Sequence, residues 1–381
     1  MKYKVTHLFI LFILTFQLSC SSTELKLGIE KTEFYFPLLI DKNIAVVSNQ
    51  TSVFNQTHLV DSLVSSRFNI KKVFSPEHGF RGKADAGAYI ENGLDSKTAL
   101  PIVSLYGKNK KPTTKQMESL DVIIFDIQDV GARFYTYIST LHYVMEASAE
   151  NNVRLIVLDR PNPNGHYIDG PVLDTVFRSF VGMHPIPIVH GMTIGEYAKM
   201  INGEKWLKDE LTCDLIVIEM DNYNRKQPYD LPIKPSPNLP NAKSIALYPS
   251  LCLFEGTNVS VGRGTEIPFQ HYGAPYLKSN YSFTPKSKEG ATNPKHQNVE
   301  CFGENLTSEI VSSLELKWLI SAYSNCNNKE QFFNTFFDKL AGSSKLREQI
   351  EANYTSEEIK MTWKNELSHF RKIRKKYLLY D

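Results

Sequence analysis

Between Lys42 and about Met220, short apolar runs alternate with stretches whose apolar residues recur at helical spacing. The runs at 44–47, 70–74, 101–106, 122–125, 154–158 and 215–218 predict strands. Residues 57–67 carry Leu59, Leu63 and Val64 on one helical face, and 114–120 and 139–151 read as further helices. Thr193-Ile194-Gly195-Glu196 fits a capping box, in which the Thr and Glu side chains satisfy each other's backbone N–H groups, and it opens a helix to Ile201. Val122-Ile123-Ile124-Phe125 is apolar at every position, as a parallel strand covered on both faces would be. Strand and helix in alternation predict an α/β domain with a mostly parallel sheet.

After Met220 the pattern changes. Pro228, Pro232, Pro235, Pro237 and Pro240 punctuate a linker that cannot be regular structure. A Gly-rich segment follows at 255–265, and from about Gln270 loops mix with helical patterns at 307–323, 329–340 and 346–353. The division predicted is a domain at 24–235 and a smaller second domain at 236–381. In the last helix Arg371-Lys372-Ile373-Arg374-Lys375-Lys376 forms a solvated basic face, with Phe370, Ile373 and Tyr377 on the buried side.

The 43 basic and 41 acidic residues leave a net charge of +2. Outside the last helix the basic residues are dispersed, which argues against a nucleic-acid partner. At the start, Lys2 and Lys4 precede an apolar stretch, Leu8 to Phe16, too short to span a bilayer. It ends in Gln17-Leu18-Ser19-Cys20, which resembles a bacterial lipobox. Residues 1–20 are therefore expected to be a signal peptide, with lipidation of Cys20 and a membrane anchor that does not span. Ser21 and Ser22, with no acidic cluster nearby, favour a periplasm-facing location in the cell envelope; a plain secretory signal is the alternative. Cys213 and Cys252 lie in apolar runs and read as buried thiols, while Cys301 and Cys326 could pair in an oxidising compartment. No cysteine pair has zinc-site spacing.

Ligands of open parallel sheets bind beyond the carboxyl ends of the strands. Here those ends read Ser48-Asn49-Gln50-Thr51, Ser75-Pro76-Glu77-His78, Asp126-Ile127-Gln128-Asp129 and Asp159-Arg160-Pro161-Asn162. Glycoside cleavage needs a proton donor and a group that stabilises an oxocarbenium-like state. Glu77 is the expected acid, kept protonated by partial desolvation from Pro76 and Phe80. A structural salt bridge to Arg81 is its alternative role. Asp126 and Asp129 are candidates for the second carboxylate, against a simple turn-capping role, and His78 is placed to orient Glu77. His78, His166, His184 and His190 with Asp126 and Asp159 show no ligand-pair spacing for a metal. Neither a nucleophile elbow nor a P-loop is present. In the Gly-rich segment Asn258, Arg263 and Thr265 offer polar groups, and an Arg fork suits a carboxylate; a tight crossover is the competing role.

Several of these stretches, in this order, resemble one family. They are Ser75-Pro76-Glu77-His78-Gly79-Phe80-Arg81-Gly82, the run from Asp126 to Tyr137, Leu158-Asp159-Arg160-Pro161-Asn162-Pro163, His190-Gly191-Met192-Thr193, Phe254-Glu255-Gly256-Thr257-Asn258, Gly262-Arg263-Gly264-Thr265 and the ending from Lys372 to Tyr380. The chain is similar over nearly its whole mature length to the NamZ-type exo-β-N-acetylmuramidases, once a domain of unknown function. The resemblance implies a Rossmann-like domain with a mixed α+β C-terminal domain that contributes to the cleft. It implies release of terminal β-1,4-linked N-acetylmuramic acid from the non-reducing end of peptidoglycan fragments, with Glu77 as the favoured catalytic residue; no cofactor or metal is expected. Arg81, Arg133, Arg160 and Arg263 are its candidates for the lactyl carboxylate. Asn49, Gln50, Gln128, Tyr135, Asn162, His190, Glu255 and Asn258 complete the expected substrate-binding set. The sugar's own N-acetyl group could act as nucleophile, as in substrate-assisted hydrolases. The rival functions are a non-catalytic muropeptide-binding lipoprotein and a metal-dependent peptidoglycan amidase or esterase.

Overall fold

A computed structural model describes residues 24–77, 79–80 and 93–381. The expected leader with Cys20, together with His78 and Arg81, lies outside the described residues. Seven strands form the main sheet: β1 (Asn43–Ser48), β2 (Asn69–Ser75), β3 (Gly93–Leu94), β4 (Pro101–Ser104), β5 (Val122–Asp126), β6 (Arg154–Leu158) and β7 (Leu215–Ile218). Their order is β3-β4-β2-β1-β5-β6-β7, and every pairing is parallel except that of β3 with β4. The chain winds outward from β1 to β2 and β4, then returns to β5 and winds the other way. The topological switch point therefore falls between β1 and β5.

Alternation along the strands fills two cores. Ala45, Val47, Ile123, Phe125, Leu155 and Val157 face one side, and Ile44, Val46, Val122, Ile124, Ile156 and Leu158 face the other. Helix α1 (Leu59–Ser65) and the segment from Ile29 to Leu39 cover the second face. The first face is covered by α2 (Thr114–Met117), α3 (Tyr137–Glu150) and α4 (Ile194–Gly203). Both faces of the parallel sheet are thus removed from water, at about 1.5–3 kcal/mol for each fully buried aliphatic side chain.

A smaller C-terminal domain packs on the first face and shares its core, through Leu251, Phe254, Phe337 and Trp363. It holds α5 (Ala242–Leu251) and a three-stranded antiparallel sheet of β8 (His271–Ala274), β9 (Tyr281–Phe283) and β10 (Cys301–Asn305). Helices α6 (Lys317–Ser324), α7 (Phe337–Ala341), α8 (Lys345–Glu351) and α9 (Ser356–Arg374) complete it. The proline-rich linker is irregular, as its composition predicts. No helix among the described residues is long and apolar enough to cross a membrane.

The expected elements differ from the observed ones where distant partners capture the backbone. The 307–323 helix forms only from Lys317, because Leu314 N donates to Asp169 and Glu315 N to Ser250 rather than to a preceding turn. The 329–340 helix is interrupted by pairing of Phe333 with Thr257 and of Asn334 N with the Gly256 carbonyl. Helix α1 starts at Leu59, since Thr57 and His58 pair with residues 53–54. Cys301 and Cys326 do not pair. Both are buried free thiols directed at local carbonyls, Cys301 Sγ to Val299 and Cys326 Sγ to Asn328. In the basic cluster Arg374 turns inward to the Gly191 carbonyl, and the rest faces solvent.

Candidate active site

Glu77 follows β2 on a turn closed by Gly79 N to the Pro76 carbonyl (3.2 Å), with Gly79 at a φ of 79° that favours glycine. The turn aims the Glu77 side chain at the start of α3, where Thr136 Oγ1 donates to Glu77 Oε2 at 2.8 Å. Tyr106, two residues beyond β4, stands beside it. Burial first, then the Glu77 charge, pushes the Tyr106 phenol above its ordinary value. These groups form one wall of a cavity of about 560 Å³ between the two domains.

Another part of the lining comes from the Gly-rich segment. Arg263 sits between Gly262 and Gly264, both with positive φ. A Cβ on Gly262 would lie 1.9 Å from His271 Nε2, so the close approach requires glycine there. Arg263 Nε donates to Glu255 Oε1 at 3.0 Å, and its guanidinium lies 5.0 Å from the Phe269 ring centroid. Burial opposes ionisation of Glu255, but Arg263 and Lys295 outweigh it and hold the carboxyl below its ordinary value. Tyr248 joins the walls, its ring packed on Phe134, Tyr135 and Phe269. Cys252 also lines the cavity, but burial, followed by Glu255, pushes its thiol up to about 12, so it is no nucleophile. A larger groove of about 1060 Å³ runs along α9 between Leu173 and Trp363. It contains neither Glu77 nor Glu255, so the chemistry points to the smaller cavity.

The other polar strand ends are closed. Between β1 and β5, Ser52 Oγ donates to the Asp126 carbonyl and Gln128 N to Thr51 Oγ1, while Asn49 accepts from Thr51 and donates to Tyr137. Asp126, completely buried, is clamped by Arg160 through Nε (2.5 Å) and Nη2 (3.0 Å). Asp129 accepts from Gly131 N at 2.7 Å, and burial pushes its carboxyl up to about 7. These positions correct the expectation that Asp126 or Asp129 faces substrate and that Arg160 grips it. The Arg133 guanidinium, also completely buried, donates to the carbonyls of Pro171, Ile186, Leu340 and Ala341, which ties α7 to the sheet domain. Gln50 and the Tyr135 hydroxyl hold the Pro235 carbonyl, so both secure the linker, although the Tyr135 ring lines the cavity. Asn162 bridges Met192 and Asn164, and Gln128 holds the Pro161 carbonyl. Asn258 accepts from Tyr276. His190 is buried 3.9 Å from Asp129, its pKa pushed down to about 3 by burial and then by Arg374 and Arg133. Among the described residues the candidate metal ligands form no cluster: His184 pairs with Tyr197 and His142, and Asp159 with Thr193 and Tyr380.

Family models described as the N-terminal and C-terminal parts of the exo-β-N-acetylmuramidase NamZ match residues 44–243 and 246–380. The chain belongs to the NamZ exo-β-N-acetylmuramidase family. It is 40% identical over 377 residues to the peptidoglycan β-N-acetylmuramidase NamZ of Bacillus subtilis strain 168, covering 91% of this chain and 89% of that one. Two solved structures of DUF1343 family proteins from Bacteroides fragilis NCTC 9343 resemble it. One has a TM-score of 0.88 at 49% identity and the other 0.80 at 30%; each comparison covers 94% of this chain and 99% of the other.

In this NamZ family member, four of the expected site residues line the cavity: Glu77, Tyr135, Glu255 and Arg263. Tyr106, Lys110, Thr136, Tyr248 and Lys339 line it too and were not expected as site residues. Tyr106 ends a predicted strand and Thr136 lies in a motif run, so position marked both. Neither is a carboxylate, the residue type by which an acid is recognised in sequence. Nothing local marks Tyr248, Lys110 or Lys339: Tyr248 and Lys339 reach the cavity only through the docking of the two domains, and Lys110 is one lysine of a polar connecting segment.

Proposed function

We propose that this chain is an exo-acting glycosidase that releases terminal β-1,4-linked N-acetylmuramic acid from the non-reducing end of peptidoglycan fragments. The observation that carries the reading is that Glu77 from the sheet domain and Glu255 from the C-terminal domain line one interdomain cavity. A cavity of about 560 Å³ is in the range that holds small ligands. Glu77, oriented by Thr136 and Tyr106, passes a proton to the glycosidic oxygen as the bond to the anomeric carbon breaks. Glu255 is kept ionised by Arg263 and stabilises the positive charge that develops on the sugar, directly or by holding the N–H of its acetamido group. Glu77 then takes a proton from the water that completes hydrolysis.

The test is release of a chromophore from a β-muramide by the purified chain. Glu77→Gln is expected to lower kcat about 10²–10⁴-fold. No release by the unaltered protein would overturn the reading and leave a muropeptide-binding protein in its place. The lipid anchor is proposed on the apolar stretch from Leu8 to Phe16 and the Ser19-Cys20 step, and with it a periplasm-facing position in the envelope. Labelled fatty acid should enter the wild-type chain in a bacterial host and be lost in Cys20→Ser. Equal labelling of both would refute the anchor.

A further inference from the structure

Muramic acid differs from glucosamine by a lactyl ether that ends in a carboxylate, and the inference that follows rests on the function proposed above. A carboxylate is held by a cation whose charge is not already met. Of the arginines singled out in the sequence, Arg81 lies outside the described residues, Arg133 is surrounded by four carbonyls, Arg160 is clamped to Asp126, and Arg263 is paired with Glu255. Two other cations line the cavity, Lys110 and Lys339. Neither makes a hydrogen bond or ion pair to a carboxylate among the described residues.

We propose that Lys110 and Lys339 are the specificity-determining residues that hold the lactyl carboxylate. Lys110 is half-buried in the segment between β4 and α2, and its ammonium is held 4.6 Å above the Phe180 ring on the Glu77 side of the cavity. Lys339 reaches the cavity from α7 in the other domain, between Phe336 and Leu340, which also line it. Among the described lining residues, Lys110 and Lys339 are the cations not already held by a carboxylate. The ionised Glu255 repels a second carboxylate, and the Arg263 charge is screened by its own partner. The lactyl group is therefore driven to the lysines, leaving the anomeric carbon to the glutamates. Ammonium groups on flexible stems suit a carboxylate that can itself rotate about an ether.

The experiment compares wild type, Lys110→Met, Lys339→Met and the corresponding Lys→Arg variants of the full chain on a chromogenic β-muramide. The Met variants are expected to raise KM about tenfold or more with kcat nearly unchanged, and the Arg variants to restore it. The lactyl methyl amide of N-acetylmuramic acid, which lacks the charge, is expected to inhibit wild type and Met variants equally. An unchanged KM, or a fall in kcat as large as the fall in kcat/KM, overturns the assignment. Failure of the wild type to cleave the muramide would instead strike the function itself, so the two failures are distinguishable.

Discussion

The crevice between β1 and β5 and the cavity above β2 and β4 lie along one edge of the same sheet, yet they have opposite fates. The crevice is the topological switch point, where open α/β sheets ordinarily bind their ligands. Here it is filled by the protein's own groups: just after β1, Thr51 and Ser52 lock onto the backbone at the end of β5, Asn49 holds Thr51 and the Tyr137 hydroxyl, and Arg160 neutralises Asp126. The cavity lies two strands away, where the C-terminal domain leaves open volume above Glu77 and Tyr106. A polar strand end becomes a site only where a ligand can reach it. Where it cannot, the same residue types serve to pay the desolvation cost of a buried turn.

The sharpest way to break this comparison is to alter one residue on each side. Arg160→Met leaves the Asp126 carboxylate buried without its partner, which is expected to cost about 3–5 kcal/mol in stability. Adding Asp126→Leu removes the orphaned charge and should recover most of that loss. Glu77→Gln, by contrast, should change stability by about 1 kcal/mol or less while lowering kcat about 10²–10⁴-fold. Denaturant unfolding of the three variants beside the wild type reads both arms. If Arg160→Met were as stable as wild type, the crevice would not be the structural lock described.

How much of this was legible in the sequence follows from the range of the interactions. Six strands of the main sheet announce themselves because each apolar run is local, whereas β3, two exposed residues, carries no such run; Glu77 stands out because a carboxylate follows one of the runs. The sealing of the crevice is not local. Arg160 meets Asp126 across 34 residues of chain, and Arg133 meets the Leu340 carbonyl across 207. A motif scan sees Arg133, Arg160, Asn162 and His190 as functional residues with equal force, because the geometry that buries them is set by strand order and domain docking. The same docking explains the broken helices of the C-terminal domain, where pairing with residues 256–257 overrides helical periodicity.

A smaller effect sharpens the contrast by titration. Asp129 sits in the sealed region with its carboxyl pushed by burial from an ordinary value of 3.8 up to about 7. Between about pH 4 and 7 the folded protein holds a proton that the unfolded chain has released, so this group's contribution falls as pH rises. The slope approaches about 1.4 kcal/mol per pH unit in mid-window and vanishes above pH 7. Asp159 is shifted in the same direction for the same leading reason. Buried His142, His184, His190 and His271, whose pKa values burial lowers, act oppositely, since the unfolded chain gains their protons below pH 6.5. The net profile therefore mixes both signs, and the informative quantity is the difference between wild type and Asp129→Asn. Asn cannot titrate and can still accept from Gly131 N. Relative to wild type the variant should gain stability steadily from pH 4 to 7 and run parallel outside that window. Parallel curves throughout would mean that Asp129 is ionised in the folded state across the range. The region would then hold a buried charge that the Gly131 hydrogen bond alone does not satisfy, and the view of the crevice as a closed, neutral lock would fail.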